Sequence, residues 1–175
     1  MAAIESGYAR SADGTNLAYQ VSGEGPIDLV LLHGVATPID LLSEEPGFVR
    51  LRKRLEFFSR ITWFDARGWG ASEGDPRDSL TAQAFDADLT AVLDAVGLER
   101  VALVGTGLSG GKAIHFSVSN PERVSGLVLV NSWAHNVQDE DRPWGVPVED
   151  LDELVAASNS SGARALPWRI SRLAG

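Results

Sequence analysis

Apolar positions along the chain fall into short runs that alternate with stripes of helical spacing. Tyr8-Ala9-Arg10 and Asn16-Leu17-Ala18-Tyr19-Gln20-Val21 flank the turn signal Asp13-Gly14 and predict an antiparallel hairpin. Gly23-Glu24-Gly25-Pro26 breaks it, and residues 27–32 then have the apolar character of a buried central strand. Phe48, Leu51, Leu55 and Phe58 recur at helical spacing, with Arg50, Arg52, Lys53 and Arg54 assigned to the wet side. A strand at residues 61–64 runs into the polar, glycine-rich stretch 65–72. Phe85, Leu89, Val92, Leu93 and Val96 share one helical face, and Gly97 stands where a C-terminal cap belongs. Next come a strand at residues 101–104, a bend with four glycines, and a helix from Lys112 that must stop before Pro121. Residues 124–130 supply another strand.

A hairpin followed by strand and helix in alternation predicts an α/β fold: a mostly parallel sheet with helices on both faces. From Trp133 onward the pattern changes. Prolines at 143, 147 and 167, an acidic cluster and Ser158-Asn159-Ser160-Ser161-Gly162 surround one short amphipathic segment with Leu151, Leu154 and Val155. The expected division is a core over residues 1–136 and a cap fragment or docking tail over 137–175.

Charge and composition narrow the function. The net charge of −9 over 175 residues leaves no basic surface to neutralise a run of phosphates, which argues against nucleic acid. There is no cysteine, and the three histidines lack metal-ligand spacing, so neither a metal site nor another cofactor is expected. The first ten residues lack an apolar signal core, and no apolar run approaches the roughly 20 residues that span a bilayer. The expectation is a cytoplasmic protein with no membrane partner.

The candidate chemistry lies in Val101-Ala102-Leu103-Val104-Gly105-Thr106-Gly107-Leu108-Ser109-Gly110-Gly111-Lys112. Gly107-Leu108-Ser109-Gly110-Gly111 satisfies G-x-S-x-G, the nucleophile elbow, in which a strained turn lifts a serine hydroxyl above the sheet. Gly105 to Gly110 also satisfies G-x-G-x-x-G, a dinucleotide fingerprint. That alternative demands an acidic residue at the end of the next strand, where the chain reads Val130-Asn131-Ser132-Trp133. A phosphate-binding P-loop fails because Thr106 and Ala113 replace the required glycine and hydroxyl residue.

Taken in order, His33-Gly34, Asp65-x-Arg67-Gly68-x-Gly70-x-Ser72, the glycine bend and Asn120-Pro121-Glu122-Arg123-Val124 resemble the α/β-hydrolase superfamily over residues 8–136. With Glu44-Glu45-Pro46-Gly47, the chain is most similar to hydrolase-like domains attached to bacterial adenylate cyclases and transcriptional regulators. The resemblance implies an ancestral serine esterase of small hydrophobic substrates. It implies an oxyanion hole built from His33, Gly34 and Val35 on one side and Gly107, Leu108 and Gly110 on the other. It also implies that Asp65 and Arg67 tie their loop structurally.

The chain departs from this pattern in two ways. Ungapped counting puts Gly107 where the family places its serine and Ser109 on the later small-residue site, so Ser109 is the candidate nucleophile only if the turn starts two residues later. The family's histidine looks to come from a loop after the final strand, whereas here the strand set ends at Val130. Among the histidines present, His135 is the candidate base and Asp139 the candidate acid. The expectation is a truncated hydrolase fold lacking the usual C-terminal strands, with weak or absent catalysis as this chain. A non-catalytic ligand-binding or regulatory module is the alternative. The partners expected are a small hydrophobic ligand or ester and, at the edge of strand 124–130, a second copy or another chain.

Overall fold

In the computed structural model, residues 3–33, 37–134 and 138–141 are described, together with 143, 145, 147 and 150. The sheet is built around β3 (Ile27–Leu32), which pairs in parallel with β4 (Ser59–Phe64) on one side and β5 (Val101–Thr106) on the other. β1 (Glu5–Arg10) and β2 (Asn16–Ser22) form the antiparallel hairpin, and β2 joins it to β4. β6 (Val124–Val130) extends the parallel part beyond β5, giving the order β1-β2-β4-β3-β5-β6. The expected fold class is therefore present, antiparallel hairpin included.

Alternation along the strands divides the core between two faces. Val30 and Leu32 face one cluster with Phe64, Phe85, Leu89, Val92 and Phe116, under α3 (Ala82–Val96) and α4 (Ser109–Ser119). Leu29, Leu31, Ile61 and Trp63 face the other with Ile39 and Phe48, under α1 (Ile39–Glu44) and α2 (Pro46–Leu55). Burying each such side chain fully is favourable by about 1.5–3 kcal/mol, so both faces contribute to the fold. The signals bounding α3 act as expected. The Thr81 hydroxyl accepts from the Ala84 N–H at 3.2 Å, and Gly97 closes the helix at φ +75°, a value that favours a residue without Cβ.

Three expectations change. Arg52 is not on a wet face: it is 4% exposed and paired with Glu56, while Leu51 is 49% exposed. The guanidinium can be buried because Glu56, one turn on, supplies the opposite charge. The helix α4 begins at Ser109 rather than Lys112, so Gly110 and Gly111 lie within it. A Cβ on Gly105 would stand 2.9 Å from the Gly110 Cα, which explains small residues at both places. Between β3 and α2 the chain also forms the short helix α1, whose six residues are too few for a periodic signal.

Coverage of the sheet is uneven. Among the described residues β6 pairs only with β5, and Leu127, Val128, Leu129 and Val130 are all exposed, Val128 by 50%. Most of the expected cap fragment or docking tail, 137–175, lies outside the described residues. No helix among the described residues is long and apolar enough to cross a membrane.

Candidate active site

The site forms where β3, β4 and β5 end. Leu32, Phe64 and Thr106 terminate the three strands, and the parallel register brings those ends to the same end of the sheet. Two hydrogen bonds join the loop after β3 to the bend after β5. The Thr106 hydroxyl donates to the Leu32 carbonyl at 3.2 Å, and the Ser109 hydroxyl donates to the His33 carbonyl at 2.9 Å. Together these loops border a shallow, open cleft with a cavity volume of about 20 Å³. Leu32, Phe64, Ala66 and Phe85 form its apolar wall; Asp65, Ser109 and Lys112 are among its polar residues.

The bend turns at Gly107, with φ +53°. Its N–H donates to the Val130 carbonyl at 3.2 Å, and its carbonyl accepts from the Gly110 N–H at 3.1 Å. Among the described residues, a Cβ built on Gly107 would meet nothing within 4 Å. Leu108 follows in helical geometry and is 42% exposed. Ser109 opens α4 and is only 4% exposed. The N–H groups of Leu108 and Ser109 precede the reach of the intrahelical ladder and have no hydrogen-bond partner among the described residues.

The other predicted residues are distributed unevenly. His33 borders the cleft, and its Nε2 lies 3.0 Å from the Thr37 carbonyl; burial pushes the imidazole below its ordinary value, leaving it neutral at pH 7. Gly34, Val35 and His135 lie outside the described residues. Asp139 is exposed and accepts the Asp141 N–H at 3.1 Å; it is not among the residues bordering the cleft. Among the described residues, no group of three or more histidines and carboxylates is placed to hold a metal ion.

Asp65 and Arg67 hold the loop after β4. The Asp65 carboxylate accepts the Ile39 N–H and the Ala71 N–H, each at 2.9 Å, and burial pushes its carboxyl above the ordinary value. Arg67 donates twice to Asp88, at 2.8 and 2.6 Å, and once to Asp13 at 2.7 Å. Its guanidinium is thereby satisfied on every side that carries charge.

A family model, "alpha/beta hydrolase fold", matches residues 29–163 of the chain. The chain belongs to the alpha/beta hydrolase fold family. Among curated relatives of this hydrolase-fold chain, a 2-hydroxy-6-oxononadienedioate/2-hydroxy-6-oxononatrienedioate hydrolase of Paraburkholderia phymatum is 35% identical over 121 residues, covering 64% of this chain and 38% of the relative. Among solved structures, the esterase RhEst1 of Rhodococcus sp. ECU1013 superposes with a TM-score of 0.62 at 29% identity, over 74% of this chain and 46% of that one. An esterase of Exiguobacterium antarcticum superposes at 0.72 with 22% identity, over 90% and 57%, a likeness of fold. The chain spans less than half the length of the curated relative it matches here.

Sequence reasoning missed Lys112. Its ammonium is pinned against the cleft by a 2.6 Å hydrogen bond to the Ser79 carbonyl and lies 5.3 Å from the centre of the Phe85 ring. One signal was available: a cation in the first turn of a helix faces the positive end of the helix dipole, where a surface lysine gains nothing.

Proposed function

We propose that this hydrolase-fold chain descends from a serine esterase of small hydrophobic substrates and retains a ligand-binding cleft with weak or absent turnover. One observation carries the reading: Gly107, at the crest of the bend, has φ +53° and no side chain. An elbow works because a hydroxyl stands at that strained position above the sheet, within reach of a substrate carbonyl. Here the crest offers only backbone.

Ser109 has a different job in this reading. Its hydroxyl donates to the His33 carbonyl, fastening the loop after β3 to the first turn of α4. To act as a nucleophile it would have to give up that bond and pass its proton to a base. His33 is not assigned as that base in this reading: its Nε2 lies against the Thr37 carbonyl, and the Ser109 hydroxyl donates to the His33 carbonyl rather than to a ring nitrogen. His135 and Asp139 remain the candidates for base and acid in a catalytic version of the site.

The donor side supports binding. The N–H groups of Leu108 and Ser109 sit at the start of α4, where a carbonyl or other electron-rich oxygen is favoured; Val35, the donor expected from the other side, lies outside the described residues. An ester or related apolar ligand would lie along Phe64 and Phe85. The exposed face of β6 supports a second role for this reading, pairing with another copy or another chain segment. A persistent monomer in concentrated solution, with slow amide exchange in β6, counts against that pairing.

Exposure to a fluorophosphonate probe followed by intact-mass measurement tests the catalytic part. No adduct is expected. An adduct that disappears in Ser109→Ala overturns the reading and restores Ser109 as the nucleophile.

A further inference from the structure

We propose that the exposed face of α2 is a docking surface for the acidic segment 149–155 of a second copy of this chain. The inference goes beyond the reading of the cleft and does not depend on it.

The face is basic and aromatic at once. Arg50, Lys53, Arg54 and Phe57 follow at steps of three and four residues along α2 and the turn that continues it, so they share one side, opposite the buried Phe48 and Arg52. All four are exposed, Phe57 by 89%, and Leu51 flanks them. Among the described residues none of the three cations forms an ion pair, whereas the buried Arg52 has Glu56. Glu45, which feels Arg50, is already taken up by the Phe48 N–H. The apolar surface continues past the turn through the exposed Phe58 and Ile27, whose N–H donates to the Phe58 carbonyl at 3.4 Å. Ser59, next in the chain, opens β4, so this surface begins at the other end of the sheet from the cleft.

Charge selects the occupant. In a chain of net charge −9, Glu149, Asp150, Asp152 and Glu153 bring four carboxylates within five residues, with no cation among them. Leu151, Leu154 and Val155 are interleaved, matching the apolar side chains of the α2 face. Asp150, the described residue of this segment, is exposed and makes no ion pair with α2 of its own chain, which favours contact between copies. A broad anionic plane such as a bilayer would also meet the exposed Asp40 and Glu44 just before α2, whereas a narrow segment can lie on the stripe alone.

Sedimentation velocity of the full chain at pH 7, over a concentration series, tests the contact. The wild type is expected to self-associate below about 1 mM, and less so in about 500 mM salt than in about 50 mM. The triple variant Arg50→Glu, Lys53→Glu, Arg54→Glu should weaken association about 10- to 100-fold, the combined effect of about three exposed ion pairs. Phe57→Ser should weaken it about 10-fold. Asp152→Lys with Glu153→Lys should weaken it as well, and both sets of reversals in one chain should restore it. That restoration reads the contact even if either set alone costs stability. A chain that stays monomeric to about 1 mM overturns the proposal, and phosphatidylserine vesicles bound through the same cations would then assign the face to a membrane. Association untouched by the triple variant also overturns it and leaves β6 as the contact. Association lost in the triple variant but unchanged by the reversals at 152 and 153 overturns the segment as the occupant.

Discussion

Arg67 and Lys112 are two cations that both feel Asp88, one buried and one partly buried, and the fold treats them in opposite ways. Arg67 has Asp88, Asp13 and the Ser11 hydroxyl around it, with the strongest bonds at 2.6 to 2.8 Å. Its guanidinium is held above its already high ordinary value, chiefly by the Asp88 hydrogen bonds. Lys112 has a carbonyl and a ring, and its amine is pushed down by burial. The first arrangement is closed: it joins the hairpin, the loop after β4 and α3 and has nothing left to offer. The second is open on the side of the cleft. A buried charge that is fully partnered reports on architecture, whereas a partly buried ammonium needs only some of its donors matched by the protein.

The largest effect expected from breaking this contrast is at Asp88. Asp88→Ala leaves the Arg67 guanidinium buried without its main partner, and urea unfolding should show a loss of about 3–5 kcal/mol. A loss below about 1 kcal/mol would mean that the network does not hold the loop.

Next in size is the pH profile of stability, compared between the wild type and Lys112→Met. The folded-state value of Lys112, about 8, lies below the ordinary 10.5 of the unfolded chain. Between those values the unfolded chain holds the extra proton, so the wild type should gain stability relative to the variant as pH rises from about 8 to 10.5. Parallel profiles across that window would show that the amine is not desolvated in solution.

A smaller change is expected at the bend. Gly107→Ala meets no steric obstacle among the described residues but forces a side chain into left-handed backbone, and thermal or urea unfolding should show a cost of about 1–2 kcal/mol. A cost near zero would mean that the bend relaxes and that the crest is not strained. The smallest effect belongs to Asp13→Asn. Arg67 holds the Asp13 carboxyl well below the usual carboxylate range, yet Asp13 faces solvent, so the change should be slight at pH 7 and should vanish in high salt. The same depression means that whatever Asp13 contributes is present above the ordinary carboxylate value and fades in acid.

Much of the fold was legible from local pattern. The hairpin turn at Asp13-Gly14, the stripe Phe85, Leu89, Val92 and Leu93, the Gly97 cap and the stop before Pro121 all follow from periodicity and from residues with narrow backbone preferences. Arg52 was misread because amphipathic spacing assigns every arginine to water, and the Glu56 that allows its burial is visible only once both sit on one helix turn. Of the site, the ordered glycine bend and strand ends were legible as a hydrolase-like set. The role of each side chain was not.

By itself the sequence determined the family, the succession of strands and the presence of a glycine at the crest of the bend, since these depend on neighbours a few residues apart. Only the tertiary structure decided that the Ser109 hydroxyl meets a carbonyl 76 positions earlier in the chain, that Arg67 is saturated and that Lys112 borders a cleft. The reason is physical. Backbone conformation is set by local sterics, whereas the worth of a hydroxyl or a charge depends on which distant groups close around it and exclude water.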